Sequence, residues 1–130
     1  MTFSISQALN DARLTGTLSY LDTGVDQAKI QLFDTVRPAN GAAAGAEPLV
    51  ELLLDKPCGA VDAGVLTLTP GAEAMILTTG LALWARVLNG NGEFAIDGDI
   101  SDTGGTGDFT FPTPQLYAGG ITRLVSGVLR

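Results

Sequence analysis

The chain has 130 residues, 45% of them hydrophobic and 16% charged, enough for one domain (1–130) with a single core. Seven basic against 14 acidic residues leave a net charge of −7, which argues against nucleic acid as a partner, because neutralising phosphates takes clustered Lys and Arg. Histidine is absent from the sequence, so Ser-His and Cys-His nucleophile pairs and histidine metal sites are excluded.

Cys58 is the lone cysteine and rules out an intrachain disulfide. No apolar run reaches the ~18 residues of a membrane span, and no secretory h-region follows Met1. These features lead to the expectation of a chain made in a reducing cytoplasm and used without processing.

In chain order, Ser4 and Gln7 fit a capping box, and Ile5, Ala8, Leu9 and Ala12 then follow helical spacing, with Leu14, Leu18 and Leu21 as a second stripe. The spacing predicts one amphipathic helix over 6–21, ended near Asp22 with Gly24 beyond it. From Ala28 onward the pattern changes to strands. Residues 29–34 alternate and stop before Pro38, and 39–47 (ANGAAAGAE) are small and low in complexity, a flexible loop or arm. Residues 49–54 read as a strand, 56–64 as turn-rich, 65–69 as a strand, and 72–79 as either strand or helical turn.

The strongest local signal is the hairpin over 81–100. Two alternating runs flank Asn89-Gly90-Asn91-Gly92, and Asn-Gly predicts a type I′ turn. The first run, with Leu83, Trp84, Ala85 and Val87, is apolar on both sides, as in a strand covered on both faces. After a Gly/Asp loop over 101–108 come short runs at 109–111 and 121–129. Seventeen Gly and six Pro punctuate the whole. The expected fold is mainly β: a jelly roll or β-sandwich of about eight short antiparallel strands over 28–130, with one N-terminal helix.

Candidate chemistry is sparse. Asp97, Asp99, Ser101 and Asp108 stand at the first, third, fifth and twelfth positions of a calcium-loop spacing, but Asp102 occupies the sixth, where such a loop turns on Gly. The stretch reads as a solvated strand end with a loop, with calcium as the alternative. Gly90-Asn91-Gly92 and 104–107 lack the Lys and following helix of a phosphate loop and read as turns. Trp84, expected in the core, would have to face solvent to stack on a sugar. Cys58, between Pro57 and Gly59, has no activating partner in sequence and reads as a structural thiol. No cofactor, small-molecule substrate or membrane partner is indicated.

The order of features carries more than any one of them. A leading helix ends in Leu21-Asp22-Thr23-Gly24; a strand ends in Phe33, Asp34, Arg37 and Pro38; an Ala/Gly loop and a Leu-rich strand at 49–54 follow. Then come Ala63, Gly64 and Val65, the run Leu83-Trp84-Ala85-Arg86-Val87, the Asn-Gly turn, and Ile96-Asp97-Gly98. Over 5–127 this resembles a family of small virion structural proteins of tailed bacteriophages, and most of all the capsid cement, or head-decoration, proteins of Bordetella-phage-type short-tailed phages. The resemblance implies a non-enzymatic jelly roll on the capsid exterior that bridges major capsid protein subunits and forms a homo-oligomer there. Its adhesive element would be the helix stripe or the arm Ala39, Asn40, Gly41, Ala42, Ala43, Ala44 and Gly45. A tail, neck or fibre-associated component, or a carbohydrate-binding jelly roll for host attachment, is the alternative.

Overall fold

The computed structural model describes residues 4–39 and 41–129, Pro70 by its backbone alone. It is mainly β, with one helix among the described residues. Helix α1 (Gln7–Leu21) is capped by Ser6, whose hydroxyl accepts from the Leu9 N–H at 3.1 Å. The start signal therefore acts two residues later than the expected Ser4 box, because Ser6 is the residue with extended backbone directly before the helix.

Seven strands close into a barrel: β1 (Lys29–Phe33), β2 (Val50–Asp62), β3 (Val65–Pro70), β6 (Trp84–Leu88), β7 (Phe94–Ser101), β8 (Phe109–Thr110) and β11 (Ser126–Leu129). Around the barrel the order is β1-β2-β3-β11-β8-β7-β6 and back to β1. Every neighbouring pair is antiparallel except β7 and β8, which run parallel at Ile100–Phe109 and Ser101–Thr110. The expected sandwich is thus a single sheet closed on itself. The two solutions share one period-two pattern, since facing sheets and a closed sheet both turn alternate residues inward. Closure also removes sheet edges that would otherwise template aggregation.

Register defines the interior. Ile30 lies between Leu52 and Val87, and Leu32 between Val50 and Ala85, all buried. The segment expected to be turn-rich, 56–64, is instead mostly the second half of β2, which bulges between Leu54 and Gly59 and turns at Ala63–Gly64. The hairpin at 89–92 is present, but Gly92 rather than Gly90 has positive φ (80°). The Asn89 side-chain oxygen accepts from the N–H groups of Asn91 and Glu93, making a longer loop than the two-residue type I′ turn. Gly90 is needed for a different reason: a Cβ there would run into the Thr23 and Asp26 carbonyls.

Each barrel mouth is closed. At one, α1 buries Leu14 and Leu21, with Leu18 packed against the same core. Asn10 and Asp11 bond the Gly64 backbone at the β2–β3 turn, and the Tyr20 hydroxyl donates to the Phe94 carbonyl across the mouth. At the other mouth, residues 74–82 run antiparallel to 114–122. This ribbon holds two short ladders, β4 (Ala74–Met75) with β10 (Ile121–Thr122) and β5 (Gly80–Leu81) with β9 (Gln115–Leu116). It buries Ile76, Ala82, Leu116 and Thr122 toward the barrel. No described helix is long and apolar enough to cross a membrane.

Candidate functional site

The densest side-chain constellation is on the outer wall of β1, β6 and β7. Pairing places Phe33, Trp84 and Asp99 in one outward row and Gln31, Arg86 and Asp97 in the next. Phe33 stacks on Trp84 with ring centroids 4.5 Å apart. The Arg86 guanidinium lies 5.3 Å from the Trp84 centroid and 5.1 Å from that of Phe94, a cation between two aromatic faces. Its Nε donates to Asp97 Oδ1 at 2.8 Å and its Nη2 to Oδ2 at 3.0 Å, a two-point fork that fixes both planes.

A wall so aromatic cannot face water cheaply, and the chain folds back to cover it. The described residues 34–39 and 41–45, leaving β1, cross the wall as a strap. Thr35 Oγ1 accepts from Trp84 Nε1 at 3.2 Å, and Arg37 reaches the Asp97 carbonyl at 2.9 Å and Asp99 Oδ1 at 3.2 Å. The Ala42 carbonyl accepts from Arg86 Nη2 at 2.6 Å, and Gly41 lies against the Phe94 ring. Arg86 and Asp97 are each only 8% exposed. The bond to Asp97 pushes the Arg86 pKa up, outweighing desolvation, so this guanidinium remains a cation throughout the physiological range. Such a pair holds surfaces together; it is not poised to exchange a proton.

The calcium-spaced oxygens are divided among other tasks. Asp97 is committed to Arg86, and Asp99 faces Arg37. Asp108 accepts from the Asp99 N–H, while Ser101 Oγ donates to the Asp102 carbonyl and accepts from the Gly107 N–H. Among the described residues no three His, Cys, Asp or Glu side chains gather as a metal set. A cavity of about 240 Å³ opens where β7 and β8 pair only briefly, lined by Ile96, Gly98, Phe109 and Leu129, with Asp97 and Asp108. Cys58 is fully buried; desolvation first, then the adjacent Asp22, pushes its thiol up to about 12, so it is no nucleophile at neutral pH.

Of the arm, Ala39, Gly41, Ala42, Ala43 and Gly45 are exposed and Ala44 is half-buried; Asn40 lies outside the described residues. The arm is anchored by backbone: the Ala42 carbonyl points in to Arg86. Sequence reasoning joined none of Thr35, Arg37 and Ala42 to Trp84 and Arg86, because alternation marks which face a residue takes but not what crosses it.

A second feature escaped sequence reading. The outer face of the ribbon carries Met75, Leu77, Leu81, Tyr117 and Ile121, between 49% and 65% exposed. Met75 and Ile121 are direct cross-strand partners. A signal was available: residues 74–85 and 109–122 contain no Asp, Glu, Lys or Arg. Each stretch alone looks like ordinary strand; pairing brings them together.

Comparison with protein-family models, with curated proteins and with solved structures finds no match to the chain.

Proposed function

We propose that this chain is a non-enzymatic structural component of a tailed-phage virion, a capsid cement protein made in the host cytoplasm and seated on the capsid exterior. The proposal starts from the order of sequence features that resembles that family, with the closed barrel as the rigid body in place of the expected jelly roll. The observation that supports it most is the strap over residues 34–39 and 41–45. Its bonds run inward to Trp84, Arg86 and Asp97, while Ala39, Ala43 and Gly45 face outward. A fastened surface with small side chains can lie close along a neighbouring major capsid subunit, at little entropic cost because it is already ordered.

The test is co-sedimentation with undecorated capsids of the encoding phage, at low and high salt. Wild type is expected to bind at both, since contact area rather than exposed ion pairs would hold it. Ala43→Trp places bulk on the strap's outer side and is expected to abolish binding while the fold persists. Deleting residues 41–45 is the poorer variant, because it also removes the Ala42 carbonyl from buried Arg86. Folded wild type that binds no capsid at any salt would sink the cement reading, and recovery at tail or neck copy number would move the protein there.

A further inference from the structure

We infer that the ribbon end of the barrel is the face on which two copies of this chain pair. Five large apolar side chains stand outward on one ribbon: Met75, Leu77, Leu81, Tyr117 and Ile121. Together they expose roughly the few hundred Å² at which apolar surface marks an interaction site. Its composition is that of an interface centre, with Tyr, Met and aliphatic groups and no charge.

The charge distribution selects a second copy as the occupant. All 21 charged residues (7 basic and 14 acidic) lie outside residues 74–85 and 109–122. Two chains of net charge −7 repel wherever acidic faces approach. End to end through the ribbons they meet on uncharged surface and hold the acidic walls apart. The rim is self-complementary as well. Glu73 precedes β4 and Arg123 follows β10, so the two sit side by side at the ribbon's open end and line a notch of about 140 Å³ with Pro112, Ile121 and Thr122. A two-fold axis at that end brings Glu73 toward Arg123 of the second copy, and the notch can receive an apolar side chain from it.

The inference needs only the chain itself and stands whether or not the protein binds a capsid. Sedimentation velocity on the full chain, from sub-micromolar to high micromolar concentration, tests it. Wild type is expected to pass from monomer to dimer and to do so at least as readily at high salt, which screens the repulsion between the acidic chains. Met75→Lys and Ile121→Lys, at exposed positions and with circular dichroism unchanged, are each expected to weaken the dimer at least about thirtyfold, the order of an interface hot spot. Ala43→Trp, on the strap, is the control that leaves pairing intact. A monomer across the whole range, or a dimer that both lysine variants leave unchanged, overturns the inference.

Discussion

The barrel turns two apolar surfaces outward and treats them in opposite ways. On the wall, Phe33, Trp84 and Phe94 are roofed by the chain's own strap, with one buried ion pair as the fastening. On the ribbon, Met75, Leu77, Leu81, Tyr117 and Ile121 are left bare. Covering an apolar wall orders about a dozen strap residues at a conformational cost of roughly 1–2 kcal/mol each, offset by burial and hydrogen bonding. The chain has the means to hide such a surface and uses them once. The bare end is therefore a feature to be explained by what it meets.

The largest expected effects lie under the strap. Asp97→Ala leaves the Arg86 guanidinium buried without its carboxylate and is expected to cost about 3–5 kcal/mol. It should appear as a lower urea midpoint at unchanged m-value, with new protease cleavage within residues 34–45. Trp84→Ala removes the Phe33 stack, one wall of the Arg86 site and the bond to Thr35, and is expected to cost about 3–5 kcal/mol as well. In the wild type, Trp84 fluorescence should be blue-shifted and resistant to acrylamide. An intact strap in Asp97→Ala, or readily quenched Trp84, would mean that the wall is not held as described and the contrast with the ribbon fails.

How much of this was legible from sequence depends on the period involved. The hairpin after 88 and the burial of Trp84 follow from alternation, and the structure has them. The apolar run expected as one covered strand over 81–88 is a strand only from Trp84, with Leu81 paired in the ribbon and Leu81 and Leu83 exposed. Closure of the barrel does not follow, because it rests on β1 pairing with both β2 and β6 and on β8 lying parallel to β7, contacts that leave no mark on local pattern. The region around Cys58 was misread for a related reason. Pro57, Gly59 and Gly64 look like turn punctuation, yet β2 runs through the first two by bulging and turns only at the third. The strap was seen as a low-complexity arm, which is what its composition says. Its destination is set by Arg86, 44 residues away along the chain.

The helix end supplies an intermediate case, a surface covered by an element rather than a strap. Cys58 sits there with its N–H donating to Asp22 Oδ1 at 3.0 Å, just past the end of α1. Its thiol is raised from the ordinary 9.0 to about 12, so the folded state holds the proton longer than the unfolded chain does. That stabilising difference is fully present below pH 9 and is lost as pH rises through 12, at no more than about 1.4 kcal/mol per pH unit. Alkaline unfolding should therefore begin above pH 9 and be shallower in Cys58→Ala. Alkylation of the folded protein at pH 8 should be far slower than of the urea-unfolded chain; fast alkylation would mean that this mouth of the barrel opens.

The smallest effect, at Ile121, is the sharpest test of the comparison, because it is read against a change to the same residue type on the other surface. Phe33→Thr and Ile121→Thr each replace a large apolar side chain on an outward-facing strand by a β-branched polar one, keeping strand propensity. Phe33 is 2% exposed beneath the strap, and Ile121 is 65% exposed on the ribbon. Phe33→Thr is expected to cost at least about 3 kcal/mol, through the lost stack and a hydroxyl buried among rings. Ile121→Thr, in dilute monomer, is expected to stay within about 0.5 kcal/mol of wild type, as exposed substitutions do. Concentration then separates a bare surface from a paired one. If two copies meet on the ribbon, wild-type urea midpoints rise with protein concentration by mass action, and those of Ile121→Thr rise much less. A cost for Ile121→Thr above about 1.5 kcal/mol in dilute solution would mean that the ribbon side chains already pack within one chain, and the two surfaces would then differ in degree only.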